Sequence, residues 1–270
     1  MNTNKWGPAG WNQLGPSSYR FDHITKNLKR HANTFNLIYK LHLSNTETQL
    51  PCKYCRESYT VYIKELRMDP FICKGLLNIW MYKIHNKVND KLRKQGYNKK
   101  LNPSLEKATS EIKTKLDDYY KCTGWDYIYC IALNYPENLD LTFKHQLTAK
   151  LHFTTLPYIL PHPELTAEML NFLKANPVDN FLNNRTDLVS WVYNLHLALL
   201  PVYDRIQAKL NFDSSLHRKP FLEMCKFYET FRAGCGLSKG KTGPSCRLPF
   251  KKIKQINYQG IRAPGAIAPV

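Results

Sequence analysis

Cys52 and Cys55, in Leu50-Pro51-Cys52-Lys53-Tyr54-Cys55-Arg56, are the side chains best placed by type and spacing to do chemistry. Beyond them, apolar and aromatic residues recur at Tyr59, Tyr62/Ile63 and Leu66, which is helical spacing. That spacing predicts both cysteines in the first turn of a helix. There, unpaired N–H groups and the helix dipole favour a thiolate. Arg56 adds a fixed positive charge, and the CxxC offset puts both sulfurs on one side of the turn, within bridging reach. The pattern predicts a redox dithiol. A zinc site would need a second close pair of ligands, whereas the next candidates, Cys73 and His85, are single and distantly spaced, so no metal site is expected. A thioredoxin-like motif would need a βαβ context, and both flanks read as helix.

A second constellation lies in the segment from Leu76 to Lys94. Trp80, Ile84, Val88 and Leu92 form an i,i+4 apolar stripe, with Tyr82, His85, Asn86 and Asn89 on an adjacent face. Such a row could hydrogen-bond the edge of a heteroaromatic ligand while Trp80 or Tyr82 stacks on it. The same pattern also describes a helix with a polar flank and a histidine satisfied in the core.

The elements that must position these groups all read as helix. Gly15-Pro16 is expected to interrupt any early helix. From Asp22 a helix is expected with Ile24, Leu28, Phe35, Ile38 and Leu41 inward and Lys26, Lys29 and Arg30 outward. Ser44 to Gln49 reads as a loop, and the dithiol helix is expected to end near Met68-Asp69-Pro70. Gln95 to Leu101 reads as a basic loop. Asn102-Pro103 reads as an N-cap and first helical position, with Leu105, Ala108, Ile112, Leu116 and Tyr119/Tyr120 on the buried side of the helix that follows. After Trp125 an apolar segment reaches Tyr135-Pro136. No strand-like alternation of any length appears, so the fold class is all-α.

Composition narrows the classes further. The 270 residues suffice for one large core or two modest ones. Eight cysteines are too few for a disulfide scaffold of this length. The N-terminal residues Met1 to Pro8 lack the apolar run of a signal peptide, and no apolar run approaches a membrane span. Manufacture in the cytosol is therefore expected, where a reactive dithiol is catalytic more often than structural. The net charge of +18 suits an acidic partner or a solvated basic surface. Nucleic-acid contact is compatible with that charge, but no nucleic-acid-binding motif accompanies it.

Taken together, Trp6-Gly-Pro-x-x-Trp11-x-x-Leu14, Pro51-Cys52-x-x-Cys55-Arg56, and Trp80 with His85-Asn86-x-Val88-Asn89-x-x-Leu92-x-Lys94 resemble the Erv/ALR flavin-linked sulfhydryl oxidases, including the forms carried by large DNA viruses. Order and spacing agree over roughly residues 6–130. The resemblance implies a helical bundle that binds FAD beside the CxxC disulfide, with Cys52, Cys55 and Arg56 catalytic. It implies that Trp6, Trp11, Trp80, Tyr82, His85, Asn86, Val88, Asn89, Leu92 and Lys94 hold the cofactor. It further implies protein thiols as substrates, oxygen as acceptor, a homodimer as one possible assembly, and, for a viral protein, the host cytoplasm and the virion. Two departures stand out. Leu14-Gly15 replaces a usual Leu-His, and no cysteine lies near Tyr82 where cellular members carry a structural disulfide. The alternative from another class is a non-catalytic basic helical module that binds nucleic acid or a virion protein.

The rest of the chain divides, on this reading, into an oxidase domain at 1–135, a degenerate helical domain at 136–236 and an extended basic tail at 237–270. Leu160-Pro161 precedes Trp191 much as Leu50-Pro51 precedes Trp80, and Trp191-Val-Tyr193 echoes Trp80-Met-Tyr82. At the cysteine positions stand His162 and Glu164/Leu165, and Asn86 and Asn89 become Leu197 and Leu200. Either the second half is a copy stripped of its chemistry or two amphipathic helices agree by chance. Cys235 and Cys246 flank a Gly- and Lys-rich segment, read as a shuttle dithiol, a stapling disulfide or inert thiols.

Overall fold

A computed structural model describes residues 3–27, 32–97, 99–137, 141–207 and 218–232. The expectations for Leu28, Lys29, Arg30, Cys235, Cys246 and the tail lie outside the described residues. Among those residues every regular element is a helix, as the absent strand alternation predicts. No helix among them is long and apolar enough to cross a membrane.

Helix α1 (Thr3–Asn27) runs unbroken through Pro8 and Pro16, so the expected interruption at Gly15-Pro16 does not occur. Pro16 does remove one backbone donor. The helix persists because Gly10 and the stretch Gln13 to Ser18 are buried, and tertiary packing overrides propensity. Buried Gln13 donates to the Thr123 carbonyl at 2.7 Å. Gly124, at φ +74°, closes the crossing: a Cβ there would stand 2.9 Å from the Ala9 carbonyl oxygen.

α2 (Ala32–Gln49) is a separate helix, and Ser44 to Gln49 belongs to it rather than to a loop. Polar residues hold that end through specific bonds. Asn45 donates to the Thr148 carbonyl at 2.8 Å and the buried Thr46 hydroxyl to His42 at 3.1 Å. Its inner face is Tyr39, His42 and Leu43, whereas Leu41 is 39% exposed and does not point inward.

α3 (Lys53–Glu65) carries the dithiol and stops at Leu66, before the expected Met68-Asp69-Pro70. Pro70 lies instead in the first turn of α4 (Asp69–Ile72). α5 (Leu77–Lys94) begins where the Asp22 carboxylate of α1 accepts the backbone N–H groups of Leu77 and Asn78 at 2.7 and 3.0 Å. α6 (Leu105–Lys115) is capped by Ser104, not Asn102, and the Ser104 hydroxyl accepts from Lys107 N–H. Asn102 serves the preceding loop by bonding Asp90 and Arg93. The expected buried side of α6 is only half-covered, and Tyr119 and Tyr120 belong to a separate short helix, α7 (Tyr119–Thr123). α8 (Trp125–Leu133) is buried almost throughout.

The remaining helices are α9 (Phe143–Ile159), α10 (Pro163–Ala175), α11 (Arg185–Gln207) and α12 (Phe221–Arg232), with a 3-10 turn at Val178–Phe181. One core unites α1, α2, α3 and α5 around Phe21, Leu43, Trp80 and Ile84. A larger core joins α8 to α9–α12 and takes in Trp6. Residues 125–135 therefore pack with the second half, so the cores do not divide at 135/136.

Local geometry repeats between the halves. Cys52 precedes the 13-residue α3 with φ −103°, ψ 125°, and His162 precedes the 13-residue α10 with φ −122°, ψ 120°. The Trp80 indole donates to the carbonyl of Leu66, which ends α3, and the Trp191 indole to the carbonyl of Asn176, which ends α10, both at 2.9 Å. α2 and α9 pack on each other, and His42 meets its counterpart His152 with ring centroids 4.7 Å apart.

Candidate active site

The dithiol sits where its spacing predicts. Cys52 is the N-cap of α3 and Cys55 lies within its first turn. Both are half-buried free thiols packed against the larger core. The Cys52 side chain makes no cap hydrogen bond, and the Cys55 N–H donates to the Cys52 carbonyl at 3.0 Å. The neighbouring Cys55 thiol, with the first backbone N–H groups of α3 as lesser causes, brings Cys52 down to about 6 from the ordinary thiol value, against the opposing effect of burial. Cys55 moves up, first through its pairing with Cys52 and then through burial. Of the reduced pair, Cys52 is the thiol whose ionisation is favoured. The N-cap position has the better access to the orphan N–H groups.

Arg56 does two things at once. Its guanidinium donates to the Leu50 carbonyl at 2.6 Å, bracing the Leu50-Pro51-Cys52 turn, and its charge favours a thiolate at Cys55. Lys91 of α5 adds a second positive charge near Cys55 and ties the helices together by donating to the Ser58 hydroxyl and the Tyr54 carbonyl. Sequence reasoning missed Lys91. Its signal is its placement between Asn89 and Leu92, on the half of α5 that faces the dithiol helix.

The α5 row shares its helix with Lys91, which contacts the dithiol helix. His85 lies parallel to Trp11 of α1, with ring centroids 4.0 Å apart and planes 13° from parallel. Burial, with Lys115 a lesser cause, lowers His85 to about 4, so the imidazole is neutral near pH 7. Asn86, Val88, Asn89 and Leu92 are half-buried along the same helix and Lys94 is exposed at its end. Tyr82 donates to the Pro103 carbonyl at 2.8 Å, fastening α5 to the entry of α6. The two remaining tryptophans stand elsewhere. Trp80 is fully buried in the core with its indole bonded to Leu66, and Trp6 stacks on Tyr127 in the larger core at 5.9 Å. At Gly15 the added Cβ would rest 3.5 Å from Ile112, so an isoleucine of α6 occupies the space beside this position.

Parallel aromatic rings, a neutral imidazole and two amides make a set able to bond and stack on a heteroaromatic ring, and Lys91, Lys94 and Lys115 are positive charges on the same and adjoining helices. No curated protein and no solved structure matches the chain. Residues 18–111 match the Erv1 / Alr family, a span that contains the CxxC turn and the whole α5 row but neither Trp6 nor Trp11. That segment is similar to the Erv1 / Alr family, whose members are sulfhydryl oxidases.

Proposed function

We propose that the protein is an FAD-dependent thiol oxidase that forms disulfides in protein substrates. The observation that carries this reading is that α5, which bears the ring-and-amide row, contacts the dithiol helix through Lys91. Trp11, His85, Asn86, Val88, Asn89, Leu92 and Lys94 would hold the cofactor, while Trp80 and Tyr82 fix the helix that presents them. Bound there, FAD would supply a two-electron acceptor for the dithiol, with oxygen as the final acceptor and hydrogen peroxide as its product.

The chain's own part is thiol exchange. A substrate thiolate attacks the Cys52 sulfur of the oxidised pair; the Cys52–Cys55 bond breaks and Cys55 leaves as a thiolate. Arg56 and Lys91 stabilise that leaving group. The upward push on Cys55 comes mainly from a Cys52 thiolate, which is absent while Cys52 is engaged in the mixed disulfide. A second substrate thiolate then attacks the substrate sulfur of that mixed disulfide, forming the product disulfide and releasing Cys52 as the thiolate its N–H donors favour.

The second half, by the shared cap geometry and paired indole bonds, reads as an internal copy in which His162 and Leu165 stand for the two cysteines. The test of the oxidase assignment is substitution. Cys52→Ser and Cys55→Ser should each abolish dithiol-driven oxygen consumption while the purified protein keeps its flavin. Turnover surviving either change would overturn the assignment.

A further inference from the structure

An open cleft of about 780 Å³ runs beside the dithiol helix, with walls from both halves of the chain. Glu47, Arg56 and Thr60 line it from α2 and α3, and Asn134, Lys144 and Thr148 line it from the end of α8 and from α9. Arg56 belongs both to this wall and to the brace over the Leu50-Pro51-Cys52 turn, so the cleft and the dithiol share the first turns of α3. Ile131 and Tyr135, which also line it, are members of the same core against which Cys52 and Cys55 pack.

We propose that this cleft is the docking site for an extended, cysteine-bearing polypeptide segment, with the dithiol-free second half supplying the recognition wall. The inference rests on the oxidase reading and names the substrate for it. Charge selects the occupant. Despite a net +18 over the whole chain, the cleft carries Glu47 and Glu57 against Arg56 and Lys144, a balanced set. A polyanion such as nucleic acid would meet two carboxylates there and gain little. A polypeptide segment is neutral along its backbone and offers a donor and an acceptor at every residue. Thr60 and the Asn134 amide meet that pattern from opposite walls, and a cleft of this size lies in the range that takes a ligand of several residues. Glu47 and Lys144 face the cleft from the two halves, which suits a segment with side chains of both signs. Chemistry stays at Cys52: the docked segment delivers its thiolate to that sulfur, and the exchange steps are those given above.

The test compares a large and a small substrate. Lys144→Glu reverses an exposed cleft charge and Thr148→Trp fills the cleft; neither residue belongs to the dithiol or to the α5 row. With reduced, unfolded lysozyme, a basic polypeptide, as substrate, Thr148→Trp should raise KM about tenfold and Lys144→Glu should lower it by a similar factor, both at unchanged kcat. With dithiothreitol, which reaches Cys52 without the cleft, both constants should stay at the wild-type values. Dithiothreitol turnover also reports folding, and Lys144→Glu decides the matter if the bulkier variant fails to fold. Unchanged KM for lysozyme in a dithiothreitol-competent variant overturns the docking site alone. A wild-type protein that oxidises neither substrate overturns the oxidase reading, and the cleft's occupant with it.

Discussion

His152 offers a sharp test of how the halves are joined. It lies on α9 against His42 of α2, and both rings have no exposed surface. His42 donates through Nδ1 to the Thr155 hydroxyl at 2.8 Å, because that hydroxyl gives its own proton to the Leu151 carbonyl. Neither nitrogen of His152 has a hydrogen-bond partner among the described residues. Burial lowers His152 to about 3 and His42 well below the ordinary value, His42 also by facing His152. A histidine that titrates lower in the folded state than its unfolded value of about 6.5 stabilises the fold above that value. The stability is lost as pH falls toward the folded value. At pH 5 the unfolded chain gains about 2 kcal/mol for each such histidine. His152→Leu removes one of these terms and also an unsatisfied buried polar group costing about 1 to 3 kcal/mol. Thermal melts followed by circular dichroism should place the variant about 2 to 12 °C above wild type at pH 7. At pH 5 the gap should widen by roughly a further 4 to 8 °C. Other shifted groups, including His85, His162, Asp22 and Asp126, are common to both proteins and cancel in the comparison. A variant that melts below wild type at pH 7, or a gap that does not widen, would refute the buried unpaired pair.

Two further expectations concern the site. In the reduced protein, alkylation of Cys52 by iodoacetamide should follow a titration centred near pH 6, set by its N–H donors and the Cys55 thiol, and mass spectrometry of peptides checks it; a midpoint near that of a free thiol would remove the proposed polarisation. His85→Ala and Asn89→Leu should lower the flavin-to-protein absorbance ratio of the purified protein, and an unchanged ratio in both would remove α5 from the cofactor site.

The dithiol helix was legible because CxxC at a helix start is a local pattern, and the apolar stripe of α5 because its period is strong over several turns. Three features escaped for physical reasons. α1 runs through Gly15-Pro16 because burial against other helices outweighs local propensity, and no nearby residue signals that contact. The end of α2 looks polar because Asn45 and Thr46 are buried by hydrogen bonds, one of them reaching Thr148 far along the chain. The lowered thiol is Cys52, chiefly through its Cys55 neighbour, a choice between two cysteines of one turn that spacing alone does not resolve. Trp6 and Trp80 share the residue type of a ring-binding wall, yet their surroundings make them core. The paired Leu-Pro and Trp signals were visible in the sequence; the matching cap angles and the His42–His152 contact needed coordinates.

The central claim joins a bound flavin to a working dithiol, and one experiment addresses both. The purified full-length protein should be yellow, with a flavin absorption band, and should consume oxygen and release hydrogen peroxide when given dithiothreitol. A folded, colourless protein that leaves oxygen untouched, even after incubation with excess FAD, would contradict it.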